Sequence, residues 1–98
     1  MRDPMFVVLL RFSDNKPAAG RHLAGHQEWI KRGLDDGVFL LVGSIHPGLG
    51  GAILAHNTSG EELRKRVDED PFVAQDVVTA EITEIAPGMA DERLSFLL

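Results

Sequence analysis

The chain has 98 residues, enough for one compact domain and too few for two independent cores. Hydrophobic residues make up 44% and charged residues 26%, a balance that supports a folded core and sets intrinsic disorder aside. The net charge of -5, with basic residues scattered except for Arg64-Lys65-Arg66, argues against nucleic acid as a partner, because that binding draws on clustered cations.

MFVVLLRF, residues 5 to 12, is a continuous apolar run of strand length closed by the polar SDNKP, and reads as a central strand. From Pro17 the spacing turns helical. Ala19, Leu23, Ile30 and Leu34 fall within roughly 60° of one another on a helical wheel, with Glu28, Lys31, Arg32 and Asp35 opposite. Asp36-Gly37 ends this helix, the glycine being free to take the left-handed conformation of a C-terminal cap. VFLLVGS, residues 38 to 44, is a second buried strand.

IHPGLGG, residues 45 to 51, is rich in glycine and proline and reads as an irregular loop, with AILAHN after it as a third strand. The second and third strands are expected to pair through this loop. Thr58 and Ser59 each precede a glutamate by three residues, Glu61 and Glu62, so either can open a capping box for a helix over 59–69 anchored by Leu63 and Val67. Asp70-Pro71 stops that helix, since the residue before proline is pushed out of helical geometry. DVVTAEITEI, residues 76 to 85, alternates Val78, Ala80 and Ile82 with polar neighbours, as a half-buried fourth strand does. The tail PGMADERLSFLL has no partner in this scheme.

The order βαββαβ is the ferredoxin-like α+β arrangement: a four-stranded antiparallel sheet with two helices on one face, within a single domain whose core spans about residues 5 to 86. The other face of the sheet is then bare and apolar, and a second copy of the chain is the simplest cover, so a homodimer is expected. The absence of cysteine rules out disulfides, thiolate ligands and cysteine nucleophiles. No apolar run approaches the roughly 20 residues that cross a bilayer, and the start of the chain lacks the features of a signal peptide, so a soluble cytoplasmic protein without a membrane partner is expected.

Five polar positions could carry chemistry beside this core. His26 lies about 60° from the centre of the Leu23, Ile30, Leu34 stripe, on its edge, where a side chain can reach a cavity between helix and sheet. A histidine there suits acid/base work if a carboxylate orients it, and suits equally a boundary residue bonded to a backbone carbonyl. His22, one turn earlier and on the side of Trp29, forms with His26 the i, i+4 pair that can bind a metal, with His46 and Asp70 as conceivable further ligands. The glutamate that follows the first histidine in zinc proteases is missing, so no metal is expected. Asp70 stands at a helix stop beside apolar Phe72-Val73, either held against the sheet or simply initiating a turn. Ser44 ends the second strand and can donate a hydrogen bond to a ligand. VGSIHPGLGG lacks the lysine and following helix of a phosphate loop, and no cofactor is expected.

The strand MFVVLLRF, the segment HLAGHQEWIKRGLDDG running into FLLVGS, the turn GGAILAHNTSGEEL and the phrase DEDPFVAQDVVTAEITEI together resemble the YCII-related (YciI-like) family of dimeric α+β-barrel proteins. The resemblance spans roughly residues 5 to 86. It places the family's histidine on His26 and the aspartate of its DP-aromatic phrase on Asp70, and implies that these form an active-site pair. One relative is similar to a dehydrochlorinase acting on a chlorinated hydroxyquinol, and muconolactone isomerases share the broader barrel. The implied chemistry is therefore lyase- or isomerase-type proton transfer on a small ring or carbonyl compound, with Ser44, His46 and His22 as candidate ligand contacts. Two departures border the expected pocket: Ser44 stands where proline is common, and the insertion before the third strand is shortened to IHPGLGG. A non-catalytic ligand-binding or interaction module built on the same pocket is the alternative function.

Overall fold

The computed structural model describes residues 4–98. Its elements are β1 (Met5–Phe12), α1 (Ala19–Asp35), β2 (Phe39–Ile45), β3 (Gly50–Ala55), α2 (Gly60–Asp68), α3 (Pro71–Ala74) and β4 (Val78–Ile85), with 3₁₀ turns at Lys16–Ala18 and Glu92–Leu97. The sheet order is β2-β3-β1-β4 and every neighbouring pair is antiparallel. This is the ferredoxin-like α+β fold, with the helices packed against one face of the sheet.

β1 shows why the helices sit where they do. Phe6, Val8 and Leu10 point to the helical side and are almost wholly buried, while Val7 and Leu9 on the other face are only partly covered. Each fully buried side chain of this size contributes on the order of 1.5–3 kcal/mol, so the helical face carries most of the hydrophobic stabilisation. β4 follows the expected alternation, with Val78, Ala80 and Ile82 in or against the core. β2 breaks its alternation with a bulge between Phe39 and Leu41, so that Phe39 pairs with Ala55 and Leu41 with Leu54. The extra residue lets Phe39 and Val42 both face the helices and turns Leu41 outward.

Three expectations from the sequence are corrected here. The glycine-rich stretch is shorter as a loop than expected, because Ile45 closes β2 and Gly50 and Gly51 open β3. At Gly50 the backbone takes φ +140°, and a Cβ there would lie 1.9 Å from the Leu10 carbonyl oxygen, so only glycine lets the two strands approach. The buried face of α1 is also differently phased. Ala19 and Ile30 of the expected stripe do pack against the core, but Leu23 and Leu34 are each 45% exposed, whereas Trp29 and Gly33 are buried. Trp29 lies outside the expected stripe, yet its indole N–H donates to the Arg66 carbonyl oxygen at 2.9 Å and ties α1 to the end of α2. Finally, Asp70-Pro71 does end α2, but the same pair starts the additional one-turn helix α3.

Ser59, and not Thr58, caps α2: its hydroxyl accepts from the Glu62 N–H at 3.1 Å. The C-terminal 3₁₀ turn places the Phe96 ring edge-on to His56, 5.7 Å between centroids.

Gly33 sets the distance between α1 and β2, since a Cβ there would fall 2.1 Å from the buried Phe39 ring. Alanine ordinarily favours a helix interior over glycine by about 0.5–1 kcal/mol. Here the clash outweighs that gain, because Phe39 is boxed in by an edge contact with Trp29. Gly33→Ala is expected to destabilise the protein by about 1–3 kcal/mol in urea unfolding. A neutral or stabilising effect would mean that helix and strand can separate freely.

Candidate active site

The site begins with the chain's behaviour at Asp70. A residue before proline is driven to extended geometry, and Asp70 adopts φ -62° and ψ 124°. Pro71 then occupies the first helical position, where its missing N–H costs nothing, and the Asp70 carboxylate caps the turn by accepting from the Phe72 N–H at 3.1 Å. The same oxygen, Oδ1, lies 2.7 Å from Nδ1 of His26. Asp70 is completely buried, and its Oδ2 has no hydrogen-bond partner among the described residues. A buried carboxylate with one oxygen unsatisfied leans on the partners of the other, here a backbone amide and an imidazole.

His26 sits centrally on the buried face of α1, within about 60° of Trp29, Ile30 and Gly33 on the helical wheel, and not at its edge. Its side chain keeps 14% of its surface exposed. The imidazole stacks on Phe72 with centroids 3.9 Å apart and planes 5° from parallel, and lies 5.9 Å from the Trp29 ring. An ionised carboxylate only accepts, so a hydrogen bond to ionised Asp70 needs the hydrogen on His26 Nδ1 and leaves Nε2 as the nitrogen not engaged by Asp70. Gly25, one residue earlier, permits the close approach of α1 to α3: a Cβ there would stand 3.1 Å from Pro71 Cγ.

His26 forms part of the wall of a cavity of about 380 Å³ between α1 and the sheet. Leu10, Phe12, Val42, Ile53 and Val78 supply apolar surface from the strands, and Leu23 and Ile30 from the helix. The polar side chains on the wall are His26, Gln27 and Ser44. Backbone at Gly50 and Gly51 completes the sheet side.

The structure brings His26 and Asp70 into contact and places Ser44 on the same cavity. It does not bring His22 or His46 to the cavity wall. His22 is half-buried one turn earlier along α1, and His46 is exposed in the tight turn between β2 and β3. No group of three or more His, Cys, Asp or Glu side chains converges as a metal site among the described residues. Gln27, Phe12 and Phe72 escaped the sequence reading. Gln27 follows His26 directly, and Phe72 lies two residues after Asp70, so adjacency to the paired residues was the available signal.

No protein-family model matches the chain, and no curated protein matches its sequence. Among solved structures the chain is similar to 5-chloro-2-hydroxyhydroquinone dehydrochlorinase from Burkholderia phenoliruptrix, in complex with 2,5-dihydroxybenzoquinone. The TM-score is 0.71, with 86% of this chain and 95% of that chain covered, at 13% identity. The two chains share a fold. At that identity the likeness extends to architecture alone. No described helix is long and apolar enough to cross a membrane.

The His26–Asp70 contact makes a spectroscopic prediction. In the wild type, ¹⁵N ring shifts of neutral His26 should report the hydrogen on Nδ1. In Asp70→Asn the amide can donate where the carboxylate only accepted, and the Nε2–H tautomer should gain population. An unchanged tautomer would show that the carboxylate does not orient the ring.

Proposed function

We propose that this protein is a small-molecule enzyme in which His26 acts as general acid and base, oriented by Asp70, in the manner implied by the resemblance to YCII-related proteins. The observation that carries the reading is the 2.7 Å contact between His26 Nδ1 and a fully buried carboxylate at the wall of an apolar cavity. A boundary histidine with no chemical role needs only a backbone carbonyl. Burying an aspartate against it is costly and is the arrangement that fixes a tautomer and offsets the charge of an imidazolium.

In this reading Nε2 takes a proton from a ring hydroxyl or an acidic C–H of the ligand, and Asp70 offsets the positive charge that His26 acquires. The electron pair left behind moves into the ligand. In an isomerisation His26 returns the proton to another ligand atom. In a dehydrochlorination of a chlorinated hydroxyhydroquinone His26 returns the first proton to the ring carbon that bears chlorine, giving the keto tautomer. It then takes a second hydroxyl proton, whose electron pair forms the second carbonyl as the C–Cl bond breaks and chloride leaves with the bonding pair. The proton passes from His26 to solvent, so that HCl is lost with no oxidant. Ser44 and Gln27 hold ligand oxygens. The fold shared with a dehydrochlorinase makes chlorinated hydroxyhydroquinones the first compounds to assay.

Chloride release from such compounds is expected in the wild type. His26→Ala should lower kcat by about a hundredfold to ten-thousandfold, the contribution of a positioned acid/base group. Asp70→Asn should lose less, and Ser44→Ala should act mainly on KM. Turnover that survives His26→Ala would sink the mechanism, and ligand binding without turnover in any protein variant would favour a binding module using the same cavity.

The chain is further proposed to work as a cytoplasmic homodimer joined through the open faces of its sheets. Leu41 is 58% exposed and pairs across the ladder with Leu54, next to Val7 on β1. A second copy covers this apolar surface without new chemistry. Sedimentation at micromolar concentration should give twice the chain mass, and Leu41→Glu should shift the population to monomer. A monomeric wild type would overturn the assembly.

A further inference from the structure

We infer that the cavity selects an uncharged, ring-sized ligand and turns away carboxylates and phosphates; this rests on reading the cavity beside His26 as the ligand site. Its wall contains no lysine, arginine, aspartate or glutamate side chain. The polar groups it offers are the His26 ring, the Gln27 amide and the Ser44 hydroxyl, all suited to hydroxyl or carbonyl oxygens.

His26 does not substitute for the missing cation. Asp70 lies directly behind it, completely buried, so any positive charge on the ring is matched within 2.7 Å. With the ring protonated the pair is neutral, and with the ring neutral it keeps the negative charge of the carboxylate, so in neither state does it offer an anion a net positive charge. Lys16 is the cation tied to a wall residue, and it has partners of its own. Its Nζ sits 4.8 Å from the centroid of the Phe12 ring and donates to the Gly48 carbonyl oxygen at 3.3 Å. It therefore braces the β2–β3 turn against the outer rim.

An anion entering such a space loses its hydration without gaining a counter-charge, and the hydrogen bonds available do not make up that loss. An uncharged ring with one or two hydroxyl or carbonyl groups loses little and gains contact with Phe12, Ile30 and Val42. The volume of about 380 Å³ stands at the small end of the roughly 300–1,000 Å³ typical of ligand sites, which suits a single ring.

Two probes of nearly the same shape separate charge from fit: 4-hydroxybenzamide, uncharged, and 4-hydroxybenzoate, anionic at neutral pH. In calorimetric or NMR titrations of the full chain, the amide is expected to bind about tenfold tighter or more. Gln27→Lys supplies a cation at an exposed rim position and should narrow or reverse that ratio. Equal or tighter binding of the benzoate to the wild type overturns the inference, as does failure of the amide to bind at millimolar concentration. The outcome is separable from the acid/base reading. Charge preference without turnover retains this inference and removes that one, whereas His26-dependent turnover of an anionic compound does the reverse.

Discussion

Asp70 holds the helical layer together by serving two masters with one oxygen. Its Oδ1 accepts from the Phe72 N–H and so starts α3, and it accepts from His26 and so draws α1 onto that same turn. α1 belongs to the first half of the chain and α3 to the second, the two partners standing 44 positions apart in sequence. The remaining features of the site follow from this junction. Phe72 stacks on His26 because its amide is anchored to the carboxylate that the ring contacts. Gly25 lacks a side chain where Pro71 must pass, and the imidazole is left with one nitrogen committed and the other available.

Chemical function and fold are coupled through this arrangement. A fully buried carboxylate with an unsatisfied second oxygen is an expensive thing to place in a protein of this size, where the whole net stability is of the order of 5–15 kcal/mol. Two compensations are visible. The carboxylate replaces the missing first-turn hydrogen bond of a helix that begins with proline, and it meets the imidazole at 2.7 Å. The apolar stack of Phe72 and Trp29 around His26 excludes water from that contact and strengthens it.

Much of the architecture was legible from the residues. The period-two pattern of β4, the unbroken run of β1 and the capping signal ahead of α2 all specify their elements locally, and their order leaves one common topology. His26 and Asp70 were picked out by their settings and by family resemblance, although neither setting implied contact across the fold. The phase of α1 was misread for a physical reason. Leu23 and Leu34 dominate a hydrophobicity count but stand half in solvent, while Gly33, buried against the Phe39 ring of β2, has no hydrophobic weight at all. Close approach selects for smallness, which a count of apolar side chains overlooks. The bulge in β2 was hidden for a similar reason, because FLLV is apolar in either register and only pairing with β3 decides which residues face inward.

Gly51 has a different kind of consequence. Through the strand alternation it shares with Ile53, a side chain there would stand on the helical side of the sheet, beneath the cavity, and its Cβ would come no nearer than 3.4 Å to the Gly43 carbonyl oxygen. The backbone therefore tolerates a methyl group at the floor of the chamber. Ligand size in this scaffold is thus an adjustable quantity, set by one hydrogen atom on a strand and open to change by a single small side chain without disturbing the histidine, the aspartate or the helices that hold them.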